Sequence, residues 1–284
     1  MSHAASLLSQ IHGVRRSLIP LSRVGSFRAG RHGDLMRGLL SLFLVAWCAL
    51  TPARVWAGSM TLLGVGKAGA AAPPNLAYIG ATTGSTASNI ASVSGVNIGT
   101  ASFDRLVVVV FTGIGFNSVT ASCSIAGAAT TLVVQSPGFN GSQTTICSAT
   151  VTSGTTGNIS ITYGFVADGV TIAFDVYTIK SLTSMTAAGT GGASGSASTL
   201  TTGSVSISGA AVAIIGSAQR GSNSTTDVVS GTSGSFVQDH PNFVISGFSR
   251  NTVASATALA GSSGTFTATW NGTEASSIAA AAWR

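Results

Sequence analysis

The most restrictive stretch in this sequence is Leu106–Phe111, which reads Leu-Val-Val-Val-Val-Phe. Four of its six residues are β-branched valines, which favour an extended backbone over a helix. Side chains alternate faces along a strand. A run with no polar residue therefore leaves no face for water and needs apolar cover on both sides. The chain must place this strand at the centre of a layered structure.

The surrounding sequence supplies further strands and no long helical period. Strand-like stretches are expected near 117–126, 129–136 and 143–151. Across Val170–Ile179, Ile172, Phe174 and Val176 fall on one face, with Asp175 and Tyr177 on the other. Phe266, Ala268 and Trp270 alternate with Thr265, Thr267 and Thr269, and Ile278–Trp283 reads as a closing strand. Turns such as Ser153-Gly154-Thr155-Thr156-Gly157 separate the segments. This pattern predicts an all-β, antiparallel, jelly-roll-like sandwich.

One domain is expected over residues 78–284, because the apolar stretch Ala210–Ile215 needs earlier strands for cover. The low-complexity segment Thr186–Ser198 is read either as a surface loop in that domain or as a division between two. A membrane-spanning barrel would need girdles of aromatic residues. After the leader there are only three Tyr and two Trp.

Residues 1–57 read as a leader. An uncharged apolar run of 13 residues, 38–50, follows Arg37, and Thr51-Pro52 ends it. Val55-Trp56-Ala57 then offers small or modest residues at the positions a signal peptidase reads, placing cleavage between Ala57 and Gly58. The expectation is a signal-like apolar helix ahead of a flexible Gly/Ala/Pro linker at 58–77. The run is short of the roughly 20 residues a membrane span needs; contact with a membrane would come only through an uncleaved leader. Met1, Met36 and Met60 are alternative starts, and starting at Met60 would remove the signal.

The leader also explains the charge. The chain has 13 Lys+Arg against 7 Asp+Glu, but seven of the basic residues and only one acid precede residue 58. The remaining 227 residues carry six of each sign. Basicity therefore belongs to the leader and gives no argument for nucleic-acid binding. About a quarter of residues are charged in an ordinary soluble domain. So charge-poor a body suits a protein within an assembly, on a cell surface or outside the cell. Cys48 lies in the leader, leaving Cys123 and Cys147 as a pair. They form either a disulfide, which requires an oxidising compartment, or two buried thiols.

Few residues are suited to catalysis. Gly64-Val65-Gly66-Lys67-Ala68-Gly69 fits GxGxxG, but Pro73-Pro74 follows where a helix is required. His240 is the one histidine after the leader, and a serine triad would have to draw on it with Asp239 or Asp227. Adjacent strand residues point to opposite faces, which argues against His240 with Asp239. One His and two Cys do not fill a tetrahedral metal shell. Two carboxylates suffice for glycoside hydrolysis, and Asp104, Asp168, Asp175, Asp227, Asp239 and Glu274 are the candidates. Asp175 stands out as mid-strand, while Asp104-Arg105 reads as a surface ion pair or edge charge. Trp270, Trp283, Tyr163 and Tyr177 could grip a sugar, although their alternation fits core packing better. No catalytic, cofactor or metal residue is assigned.

Met60-Thr-Leu-Leu-Gly, Asp104-Arg105-Leu-Val-Val-Val, Ser153-Gly-Thr-Thr-Gly-Asn-Ile-Ser and the closing Ala-Ala-Ala-Trp-Arg resemble a loose group of small, uncharacterised β-rich bacterial proteins found beside prophage or phage-like genes. The resemblance implies a virion or surface-structure role and a start at Met60. The sequence is read as a non-enzymatic exported or virion-type protein, structural or adhesive, partnered by itself or by surface or virion proteins. The alternative is an exported carbohydrate-binding or carbohydrate-cleaving domain with a glycan partner.

Overall fold

The computed structural model describes residues 73–116, 121–164, 169–221, 227–246 and 249–284. The leader, its apolar run at 38–50, the Ala57–Gly58 junction, Gly64–Gly69 and Asp168 lie outside the described residues. What is described is all-β, with every paired strand antiparallel.

Eight strands make the first half: β1 (Asn75–Ala87), β2 (Ile90–Asn97), β3 (Leu106–Phe116), β4 (Ala121–Ile125), β5 (Thr130–Gln135), β6 (Gly141–Thr150), β7 (Thr156–Tyr163) and β8 (Thr171–Lys180). β1 begins at Asn75, paired with Lys180, so the strand takes in the last residues expected to be linker. The inner sheet runs β5-β6-β3-β8-β1. At its far end β1 passes to β2 through Thr86↔Ala91 and Ala87↔Ile90, and the outer layer continues β2-β7-β4. Between the layers lies a core of Val107, Val109, Phe111, Ile172, Phe174 and Val176 against Ala91, Ile125, Ile159 and Ile161.

The second half repeats this connectivity. Its strands are β9 (Gly189–Ser196), β10 (Thr199–Thr201), β11 (Val205–Ser206), β12 (Val212–Arg220), β13 (Asp227–Gly231), β14 (Phe236–Ser246), β15 (Ser249–Thr257), β16 (Ser263–Gly264), β17 (Phe266–Trp270) and β18 (Ala275–Trp283). The inner sheet is β14-β15-β12-β18-β9 and the outer one β10-β17-β13, with β11–β16 as a short separate pair. Taken in chain order, each principal strand occupies the place of its counterpart in the first half. Phe266, Ala268 and Trp270 point into this half's core with Ala213, Ile215 and Ile278.

A third core joins the two inner sheets. Leu106, Val108 and Val110 from β3 meet Val212 and Ile214 from β12 and Ala279, Ala281 and Trp283 from β18. This seam is why Leu-Val-Val-Val-Val-Phe carries no polar residue: odd positions face the first half's own core and even positions face the second half. Contacts across the seam are reciprocal. β12 touches β6 as β3 touches β15, and β14 touches β8 as β18 touches β5. Such swapping of equivalent partners is the property of an isologous interface.

Close approach of the inner sheets is set by small residues. A Cβ on Gly216 would overlap Val110 Cγ1 and come within 3.0 Å of Thr144 Cγ2. The same crowding corrects the surface-loop reading of Thr186–Ser198; the other reading, a division, falls where the first half gives way to the second. The segment's Gly/Ala/Ser composition reflects crowding rather than a loop, because β9 pairs with β18 along its length and packs beside β10 and β11. A Cβ on Gly191 would sit 2.6 Å from Val205 Cγ2.

Candidate functional site

The seam holds a group of interacting polar side chains, and it is built by two strands with different local geometry. β8 alternates regularly, so Asp175 and Tyr177 both turn away from the first core toward the second half. Opposite them, β14 shifts register between Gln238 and His240. That bulge lets the adjacent Asp239 and His240 both reach β8, which strict alternation would forbid.

Asp175 is completely buried and is held on both oxygens. Tyr78 Oη donates to Oδ1 at 3.0 Å, His240 Nδ1 lies 2.7 Å from the same oxygen, and Asn251 Nδ2 donates to Oδ2 at 2.9 Å. Tyr78 comes from β1 of the same half; His240 and Asn251 come from β14 and β15 of the other. Tyr177 Oη donates across the seam to Asp239 Oδ2 at 2.9 Å. The rings pack as well: Tyr78 and Tyr177 centroids are 5.1 Å apart, and His240 and Phe243 4.3 Å apart. Burial, reinforced by the negative charges of Asp175 and Asp239, pushes both phenols well above their ordinary pKa, so both stay protonated and donate to the carboxylates. Burial also raises Asp239, against the opposing hydrogen bonds from Ser255 and Tyr177. A second polar contact at the seam links Ser277 to Ser142 at 3.0 Å and to Thr144 at 2.9 Å.

The structure thus brings together Asp175, Asp239, His240 and Tyr177 and leaves the other described candidates elsewhere. Asp227 is not a partner of His240. It is buried in the second half, where Ser217 Oγ donates to Oδ2 at 3.1 Å, and burial pushes its pKa up to about 6. Glu274 stands exposed in the turn between β17 and β18. Asp104 is bound by the Ser102 hydroxyl and by Ser181 N–H at 2.9 Å, and these bonds hold it below the usual carboxylate range. Arg105 is no surface charge: it is fully buried and, among the described residues, its guanidinium is bonded to main-chain carbonyls. Trp270, Trp283, Tyr163 and Tyr177 are also buried, at 3, 0, 3 and 0 % exposure, so they form core and not a sugar-stacking platform.

Chemically, the Asp175 cluster ties two bodies together. A general acid or base must be able to meet substrate; Asp175 is fully buried with hydrogen bonds on both oxygens, while the His240 side chain beside it is 22 % exposed. Neither of two depressions in the surface is lined by this cluster. One, of about 410 Å³, lies between β5, β6 and residues 185–190; the other, of about 470 Å³, lies around Pro73–Leu76 and Thr257. Among the described residues no three His, Cys, Asp or Glu side chains group as a metal site, and no helix is long and apolar enough to cross a membrane. Cys123 on β4 and Cys147 on β6 face each other at disulfide distance, with Cα atoms 6.5 Å apart, across the first core.

Compared with protein-family models, curated proteins and solved structures, the chain matches none.

Proposed function

We propose that this chain is a non-enzymatic exported or virion-type protein with a structural or adhesive role, and that each half is a jelly roll. The jelly-roll reading is supported by strand order. One layer of the first half contains β1-β8-β3-β6 and the other β2-β7-β4, the second half follows suit, and only β5 departs by lying beside β6. Jelly rolls serve capsid and lectin proteins. The observation that carries the functional reading is the seam. The Asp175 cluster there links two equivalent halves, with Asp175 fully buried and hydrogen-bonded on both oxygens. The charge-poor body supports it further, because little electrostatic repulsion opposes packing into an assembly.

The test combines sedimentation velocity of the purified chain with a screen for polysaccharide and ester hydrolysis. Self-association or binding to particles, without turnover, is expected. A hydrolytic activity abolished in Asp175→Asn, with the circular dichroism spectrum unchanged, would sink the proposal.

A further inference from the structure

We infer that the loops at one end of the first half form a cation site whose resident cation is the chain's own Arg105 guanidinium. Arg105 is 0 % exposed and no carboxylate touches its guanidinium among the described contacts. Instead Nε donates to Val151 O at 2.7 Å. Nη1 donates to Ile98 O at 3.2 Å and Gly99 O at 2.6 Å. Nη2 donates to Ser153 O at 2.8 Å and Gly154 O at 2.9 Å. A guanidinium has five N–H groups in a fixed plane, and here each has its own main-chain oxygen.

The carbonyls come from two segments far apart in sequence, 98–99 and 151–154. Gly99 and Gly154 adopt φ of +78° and +72°, which turns the local backbone as few other residues could. The segments are also pinned without the arginine side chain, by Ile98 N–H to Thr155 O at 2.9 Å and Val151 N–H to the main-chain Arg105 O at 3.2 Å. The adjacent Asp104 carboxylate is turned elsewhere, onto Ser102 and Ser181. A ring of carbonyl dipoles can replace the hydration of a cation, as in ion filters and calcium loops. A buried charge without such replacement would be very costly. The arginine therefore does for these loops what a bound metal ion does elsewhere. It also fixes the tip that presents Phe103, the most exposed large hydrophobic side chain described, at 88 %.

If the cage is a cation site, vacating it should let a free ion of the same shape return. Arg105→Ala should lower Tm by roughly ten degrees. Guanidinium chloride at low millimolar concentration should recover several of those degrees, relative to its effect on wild type. Sodium, potassium and calcium chlorides at matched ionic strength should not. Arg105→Lys, which keeps the charge but not the planar fork, should fall between. Should Arg105→Ala fail to fold, its refolding yield is compared with and without guanidinium, and recovery only with guanidinium supports the assignment. Equal response to guanidinium and sodium, no refolding under either, or Arg105→Lys matching wild type would overturn it. Recovery by potassium or calcium alone would overturn the planar-cation assignment.

Discussion

Asp227 illustrates how this protein treats a buried charge. It sits on β13 against β12 with hydroxyl partners and no cation among the described residues, and burial lifts its pKa from 3.8 to about 6. A folded pKa above the unfolded one means that ionisation costs the folded state more. The penalty is absent below about pH 4, grows as pH rises toward 6, and is complete above it, at about 3 kcal/mol. Asp227→Asn should therefore raise stability at pH 7.5 by up to that amount and leave it unchanged near pH 4. Urea unfolding at the two pH values checks this, and an equal effect at both would contradict it. Asp175 behaves oppositely, since Asp175→Ala strips partners from Tyr78, His240 and Asn251 inside the seam. A loss of about 2–4 kcal/mol in the same assay is expected. The sequence marked Asp175 as unusual, but its partners lie 65 to 97 residues away. Sequence separation gave no means of choosing them. Arg105 was misread for a similar reason: its carbonyl acceptors are carried by backbone and leave no trace in residue type.

At the scale of strands, regular alternation was legible and exceptions to it were not. The faces of β8, β17 and the Leu106–Phe111 run follow from period two alone. The bulge in β14, which brings Asp239 and His240 to one side, has no such signature, and alternation argued against it. β9 was obscured by its glycines, which meet the crowding around β10 and β11. Gly216 offers a direct test of that crowding where the inner sheets meet. Gly216→Val should cost about 1–3 kcal/mol or more by overpacking against Val110 and Thr144. Gly203→Ala, at a position with nothing near its Cβ, should be close to neutral; thermal melts of the pair decide. The Cys123–Cys147 pair belongs to this scale too, since it fastens β4 of the outer layer to β6 of the inner. Bridged, it should contribute roughly 3 kcal/mol. Reductant should lower Tm by several degrees, and both thiols should resist alkylation beforehand. Full alkylation of the native protein would contradict the bridge.

At the largest scale, the described residues form four layers, outer, inner, inner and outer, with the same strand order on either side of the seam. Strand content and a possible division at 186–198 could be read from the sequence, but not that the two halves share one strand order. The equivalent central strands, Leu106–Phe111 in β3 and Val212–Ser217 in β12, share an apolar character and little identity. Layer packing asks only for volume and alternation, so two copies of a fold need not resemble each other residue by residue. The doubled arrangement, the charge-poor body and the internal use of the Asp175 cluster together underlie the proposal of a building or adhesive role outside the cytoplasm. The most direct test is the intact mass and N-terminal residue of the native protein, recovered separately from cells, medium and sedimentable particles. A structural or adhesive protein of this kind should be found beginning at Gly58 in the medium or at the cell surface, or beginning at Met60 with particles, and with Cys123 joined to Cys147 in the exported form. A chain starting at Met1, free in the cell interior with both thiols reduced, would contradict that role.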